Sequence, residues 1–320
     1  MPYIAEDNYQ KPWYYFNEHV ETIIPSVRNK APEVSYSRER LELSDGDFLD
    51  LDWLKSGKNR LMIITHGFEG NSARHYVRRP ASYFFQRSWD VCAWNCRSCS
   101  GEMNRLTRFY HHGATEDLEA VIDHAIESGY ESIVLMGLSM GGSMSLKYLG
   151  ETQRPSDVKG AVTFSVPCNL TDSAVALARP KNRFYENRFL KKLKKKIIIK
   201  SEMHEDIDVD RLDEVKRFEQ FHRRYSVPLH GFSSLEEFYQ KATCDQFFDG
   251  IKVPVLIGNA LNDPLLEGGC FPIATAQRSS SIHLKTPKFG GHVGFTIPGQ
   301  HFTWIELEAE KFVKEQLGLV

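Results

Sequence analysis

No run of apolar residues in the chain approaches the roughly 18 that a membrane-spanning helix requires. The first residues, Met1-Pro-Tyr-Ile-Ala-Glu-Asp-Asn8, lack the basic and apolar regions of a secretory leader, so a cytoplasmic protein is expected. Neither sign of charge is in excess: 40 Lys and Arg stand against 42 Asp and Glu. That near-balance removes the general electrostatic case for a nucleic-acid partner, and none is expected. Cysteine is sparse. The six, at 92, 96, 99, 168, 244 and 270, form no zinc pattern, because Cys96-x-x-Cys99 has no second half; they read as reduced thiols. His-Glu-x-x-His, internal repeats and low-complexity stretches are all missing. Neither a metal nor another cofactor is expected, and chelation should leave activity unchanged.

What is present is a large apolar fraction, 41% of 320 residues, enough for a sizeable core. It is distributed as short strands alternating with amphipathic helices. Arg38–Leu43 and Phe48–Leu54 flank the turn chemistry Ser44-Asp-Gly-Asp47 and read as an antiparallel edge. Strand Arg60–Thr65 leads to a helix over Ala73–Gln86, with Ser72 as its expected cap. Strand Trp89–Asn95, helix Asp117–Ser128, strand Ile133–Gly137, helix Met140–Leu149 and strand Gly160–Val166 follow. After a gap come strands Val253–Asn259 and Ser281–Lys285 and a closing helix Phe302–Leu317. This alternation predicts an α/β protein with a mostly parallel, doubly wound sheet and an antiparallel N-terminal edge.

The domain reading follows from where the rhythm breaks. Residues 1–34 are an aromatic and proline-bearing arm packed on the body, and 35–167 with 246–320 form the core. Residues 168–245 are a helical cap inserted over the carboxyl edge of the sheet. In the cap, Val209, Leu212, Val215, Phe218 and Phe221 fall at helical spacing, and Phe238 and Tyr239 belong to another helix. Its run Lys191-Lys-Leu-Lys-Lys-Lys196 reads as a solvated helix face; peripheral contact with an anionic membrane surface is the alternative. Its many aromatics, among them Phe184, Tyr185, Phe189, Phe218 and Phe238, exceed what a solvated excursion needs. They predict a lid lining a pocket for an apolar acyl group.

The chemistry centres on Gly137-Leu-Ser139-Met-Gly141, at the junction of a strand and a helix. So sharp a turn demands a strained serine backbone between glycines, and it lifts the Ser139 hydroxyl above the sheet edge. A serine needs a base to take its proton, and the base needs a carboxylate to orient it. Asp263 and His292 follow the ends of later strands in the order this architecture uses. Asp245, Asp249, His283 and His301 are competitors. The backbone N–H groups of Phe68 and Met140 are the expected oxyanion donors, with His66 supporting the turn before Phe68.

Several motifs together resemble the YheT-like, AB-hydrolase-4-type branch of the α/β-hydrolase superfamily over roughly residues 35–317. They are His66-Gly-Phe-Glu-Gly-Asn-Ser72, Asn95-Cys-Arg-Ser-Cys-Ser-Gly101, Tyr110-His-His-Gly-Ala-Thr-Glu-Asp-Leu118, Gly137-Leu-Ser-Met-Gly-Gly142, His230-Gly-Phe232, Asn262-Asp-Pro264 and Gly291-His-Val-Gly-Phe295. The resemblance implies an α/β-hydrolase fold and a serine hydrolase acting on carboxylic esters, some relatives acting on acyl lipids. The expected partner is accordingly a small-molecule or lipid acyl ester. One position departs from the pattern: Ser98 stands where the family usually has glycine, so that loop is expected to differ slightly. Two other readings remain open. One is acyl transfer, through the same serine or through His112 and Asp117, which fit the His-x4-Asp spacing of some acyltransferases, although Asp117 also reads as a helix-terminal acid. A non-catalytic binding protein on the same fold is the other.

Overall fold

The computed structural model describes residues 3–4, 9–28 and 31–319. The N-terminal half contains β1 (Tyr3–Ile4), α1 (Glu18–Arg28), β2 (Ser37–Glu42), β3 (Phe48–Leu54), β4 (Arg60–Thr65), α2 (His75–Phe85) and β5 (Asp90–Asn95). Then come α3 (Thr115–Glu127), β6 (Ser132–Leu138), α4 (Met140–Glu151) and β7 (Val158–Phe164). A strand-free stretch follows, with α5 (Leu170–Ala178), α6 (Arg183–Met203), α7 (Phe218–Phe221), α8 (Val227–Leu229) and α9 (Leu235–Ala242). The chain returns to the sheet through β8 (Val255–Gly258), α10 (Ile273–Arg278), β9 (Ile282–Lys285) and α11 (Trp304–Leu317).

The strands form one sheet in the order β1-β9-β8-β7-β6-β4-β5-β3-β2. Every pairing is parallel except β2 with β3 and β3 with β5, which make the antiparallel edge expected from the turn at Ser44–Asp47. The central strands are mostly apolar because both faces are covered. Along β4, Leu61 and Ile63 enter one core cluster with Leu118, Val121 and Ile122 of α3, whereas Met62 and Ile64 enter another with Phe84 of α2 and Phe312 of α11. The two-residue period of a strand thus feeds two helical layers.

Some boundaries differ from the sequence expectation. Strand β7 starts at Val158 and stops at Phe164, because Ser165 takes φ 53° and cannot continue the ladder. Helix α2 begins at His75 without a side-chain cap; Ser72 instead donates its hydroxyl to Asp52 at 2.5 Å. No single helix runs through residues 209–221. Asp208 closes a turn on the Asp210 N–H at 2.7 Å and Arg211 takes φ 53°, so only the turn Leu212–Glu214 and α7 are helical. The apolar side chains at 212, 215 and 221 still share one cluster, having reached it without helical continuity. Helix α1 was not anticipated within the arm. Part of that arm, residues 1–2, 5–8 and 29–30, lies outside the described residues.

The lysine run is also not a solvated face. Lys192, Lys196 and Lys200 recur every fourth residue along α6 and turn inward. Lys192 donates to the Glu69 carbonyl at 2.7 Å, Lys196 to the Glu69 carboxylate at 2.7 Å, and Lys200, fully buried, to the carbonyls of Asn104 and Leu106. Lys191 and Lys195 remain on the outer side. No helix among the described residues is long and apolar enough to cross a membrane.

Candidate active site

The corner between β6 and α4 is as tight as the sequence demands. Ser139 has φ 56° and ψ −121°, a conformation costly for any residue with a side chain. The flanking glycines are sterically obligatory. A Cβ on Gly141 would sit 2.2 Å from the Thr65 carbonyl oxygen, and one on Gly137 would sit 2.5 Å from that of Gly141. Adding even one methyl would force the helix off the sheet.

Around this serine the later strand ends deliver their residues. His292 Nε2 lies 2.9 Å from Ser139 Oγ, and His292 Nδ1 lies 2.8 and 3.1 Å from the two Asp263 oxygens. Asp263 has no exposed side-chain surface, and its Oδ1 also accepts the Leu265 N–H at 2.9 Å. With the carboxylate at Nδ1, the imidazole carries its proton there and leaves Nε2 free to accept from the serine. The competitors lie elsewhere: Asp245 accepts from Asn169 and Thr243, and the His283 ring packs on Phe312.

The loop bearing His292 is held from several sides. Gly291 N–H reaches Asn262 at 3.1 Å, Val293 N–H reaches Ser165 at 2.9 Å, and two bonds come from α1. There the buried Glu21 carboxylate accepts the Gly290 N–H at 2.7 Å and Thr22 Oγ1 accepts the His292 N–H at 2.9 Å. A Cβ on Gly294 would meet the Glu21 carbonyl at 2.2 Å. Sequence reasoning missed Glu21 and Thr22, since nothing in a short helix of an arm points to a loop 270 residues away. The available signal lay on the other partner, in the glycines at 290, 291 and 294, which leave room for a close neighbour.

On the opposite side of Ser139 stands the loop after β4. Gly67 packs so near that a Cβ there would lie 3.1 Å from that of Ser139. Phe68 and Met140 thus flank the serine, and no other described group takes their N–H donors. His66 is fully buried; its Nδ1 faces the Gly67 carbonyl at 2.8 Å and its Nε2 accepts the Cys96 N–H at 3.1 Å, so it braces the turn as expected. Burial holds its pKa down at about 4, which keeps it the neutral acceptor this role needs. Glu69, at φ 55°, is tied by Tyr110, Lys192 and Lys196. The Phe68 ring stacks on His112 and meets the edges of Phe189 and Phe218.

The His112 and Asp117 pair does not form a unit. Asp117 is buried and accepts a bidentate contact from Arg97 at 2.7 to 3.1 Å, while His112 stacks on Phe68. Arg97 also reaches Asp47 at 2.8 Å, so Asp117 closes an internal ion cluster. In the same loop Ser98 takes φ 61°, the region a glycine favours, and its hydroxyl bonds Asn104 at 2.5 Å. The serine thus keeps the glycine-like backbone and adds a tether.

A cavity of about 220 Å³ opens at Ser139 and His292. Leu170, Ala174, Leu177, Leu265 and Leu266 line it together with Tyr185, Phe189, Phe218, Phe238 and Tyr239. Of the other aromatics in this segment, Phe184 is 42% exposed and Phe221 packs inside the segment's own cluster.

The chain is similar to proteins of known type along most of its length. It is 28% identical over 308 residues to a mouse protein named phospholipase ABHD3, covering 92% of this chain and 74% of that one. It is likewise 28% identical over 290 residues to the putative esterase YheT of Escherichia coli, covering 88% and 85%. The solved esterase Pf2001 of Pyrococcus furiosus superposes with a TM-score of 0.60 at 15% identity, over 90% of this chain and 97% of that one, a likeness of fold. A family model described as serine aminopeptidase, S33, matches residues 57–281, which include Ser139 and Asp263 and stop short of His292. With more than two thirds of its length inside that match and the sheet order to go with it, the chain belongs to the S33 family of the α/β-hydrolase superfamily and is a hydrolase.

Proposed function

We propose that the protein is a serine hydrolase of apolar carboxylic esters, working through an acyl-enzyme. Ser139 Oγ attacks the ester carbonyl while His292 Nε2 takes its proton, and Asp263 stabilises the imidazolium that forms. The Phe68 and Met140 N–H groups receive the charge that develops on the carbonyl oxygen. The imidazolium then protonates the departing alkoxide. Water, activated by the same histidine, attacks the acyl-serine and regenerates the free hydroxyl. The observation that carries this reading is the continuous hydrogen-bonded line from Asp263 through His292 to Ser139, with links of 2.8 and 2.9 Å.

The aliphatic side of the cavity supports an apolar acyl group, and the helical segment 168–245 acts in this reading as the lid over it. The relatives named phospholipase and esterase point the same way. An aminopeptidase substrate is less well served, because a free α-ammonium needs a carboxylate. Among the described residues Glu69 is the one acid lining the cavity, and Lys196 already occupies it. Acyl transfer through His112 is disfavoured by the commitment of Asp117 to Arg97. Free, buried cysteines support a reducing compartment such as the cytoplasm. A fluorophosphonate probe should label the wild type once and Ser139→Ala not at all, with p-nitrophenyl ester hydrolysis lost in parallel. Undiminished labelling of the alanine variant, or a folded wild type that neither labels nor hydrolyses esters, would sink the proposal.

A further inference from the structure

The cavity lining combines apolar side chains with three cations, and the cations have no catalytic task. Arg74, from the segment before α2, and Arg188 and Lys192, one turn apart on α6, all reach its wall. Arg74 and Lys192 converge on the Glu69 carbonyl at 3.4 and 2.7 Å, which places them beside the loop that carries Phe68. Arg188 makes no hydrogen bond or ion pair among the described residues, so its five donors stand unused. Against these three cations the described lining offers one carboxylate, Glu69, whose Oε1 already receives Lys196 and Tyr110. Positive charge is therefore left over.

Its effect on neighbours is visible. Burial, then Arg74 and with it Arg188 and Lys196, bring the Lys192 pKa down to about 8, while Glu69 opposes the shift. His75 is held at about 4 by burial and by Arg79, Arg74 and Arg188. Cations crowded at their own expense relax when an anion enters among them. The acyl chain of an ester cannot use this wall, since desolvating charge against methylenes gains nothing; it belongs on the Leu170, Leu177 and Leu265 side. The group such cations suit is an anion, and on an ester the alcohol portion is where one can be carried.

We propose that Arg74, Arg188 and Lys192 form a receptor for an anionic group on the substrate's alcohol. Resting on the ester-hydrolase reading above, this assigns as preferred substrate a fatty-acyl ester whose leaving group carries a phosphate monoester. The guanidinium fork suits paired phosphate oxygens, and the ammonium supplies a point charge beside it.

The test compares kcat/KM for 1-acylglycerol 3-phosphate with that for the neutral monoacylglycerol of the same chain. Wild type, Arg188→Gln, Arg188→Glu and Arg74→Gln are assayed below the critical micelle concentration. Wild type should favour the phosphate ester by about tenfold or more, the scale of one charge-assisted hydrogen bond. The preference should fall by about that factor in Arg188→Gln, reverse in Arg188→Glu and shrink with added salt. Arg188 is exposed and unpaired among the described residues, so its variants should keep the wild-type melting temperature. A wild-type ratio near one, or a ratio that Arg188→Glu leaves unchanged, overturns the proposal. Inorganic phosphate is titrated separately against p-nitrophenyl butyrate; inhibition there without preference for the phosphate ester would mean a free-anion site and also overturns the assignment. Fluorophosphonate labelling in the same samples separates the two failures. Unlabelled Ser139 defeats the hydrolase reading, whereas labelled enzyme without headgroup preference defeats this one alone.

Discussion

Substituting Lys196 by Met should uncouple α6 from the loop that carries Phe68, and its cost can be worked from the contacts. The Glu69 side chain is 3% exposed and its carboxylate receives Lys196 at 2.7 Å and Tyr110 at 2.6 Å. Removing the ammonium leaves a buried carboxylate with one neutral donor, a change that costs about 3–5 kcal/mol when one partner of a buried pair is deleted. The double variant Lys196→Met, Glu69→Gln carries no buried charge and should recover most of that loss, because the Tyr110 hydroxyl can still donate to the amide oxygen. Urea unfolding of the wild type, both single variants and the double variant closes the cycle. Activity supplies the second readout. Phe68 precedes Glu69 directly, so a loosened Glu69 lets the Phe68 N–H drift. Deleting one oxyanion donor costs about 10²- to 10³-fold in kcat, and Lys196→Met should lose part of that with KM little changed. A Lys196→Met variant within about 1 kcal/mol of wild type and with unaltered kcat would refute the coupling; equal losses in the single and double variants would show that the packing of the lysine stem, and not its charge, matters.

Three further outcomes are expected. Asp263→Asn places an amide N–H against His292 Nδ1 and favours the wrong tautomer, so kcat should fall about 10³- to 10⁴-fold with little change in melting temperature; wild-type turnover would mean the acid lies elsewhere, Asp245 being next. Stability should fall between pH 6.5 and 5, because burial holds His66 at about 4 and His222 at about 3 in the folded chain while the unfolded chain binds their protons near 6.5. Folding stability is then complete above 6.5 and declines toward the folded values, by about 2 kcal/mol for each of the two at pH 5; a urea midpoint constant from pH 7 to 5 would contradict this. Across acetyl to dodecanoyl p-nitrophenyl esters, kcat/KM should rise severalfold per two carbons until the aliphatic wall is filled, since a buried methylene contributes at most about 0.8 kcal/mol. A steady decline from acetate that Leu177→Ala and Phe238→Ala leave unaltered would rule out the apolar acyl pocket.

How much of this was legible in the sequence depends on how locally each feature is encoded. The Ser139 corner was readable because its requirement is steric and contained in five residues: a glycine at 141 is needed by a carbonyl 2.2 Å from where a Cβ would be. That Asp263 and His292 would come together beside Ser139 was readable from the ends of parallel strands, since such a sheet delivers those ends to one edge. The mostly parallel sheet needed only alternation of apolar runs with helices. The path through residues 209–221 was misread, because apolar residues at helical spacing report only that they reach a common core. A side-chain turn at Asp208 and the left-handed Arg211 decide the backbone, and neither has a periodic signature.

The lysines of α6 show a different limit. Read as composition, Lys191–Lys196 is a charged run and belongs in solvent. Read at a period of four it is a stripe, Lys192, Lys196 and Lys200, with Leu193 and Ile197 one residue further on and buried with it. What turns that stripe inward is a set of acceptors that no window of sequence contains: a carbonyl and a carboxylate at Glu69, and carbonyls at Asn104 and Leu106. The three carbonyls are oxygens that irregular loops leave without a backbone partner among the described residues. An ammonium that satisfies such oxygens fixes the loops as firmly as a strand pairing would. The same helix therefore does two things at once. Its inward lysines hold the loop that presents Phe68, and Arg188 and Lys192 carry the surplus charge into the cavity. That is why the Lys196 and Arg188 experiments must give different results: the first should lower turnover on every ester alike, and the second should change only which alcohol is preferred.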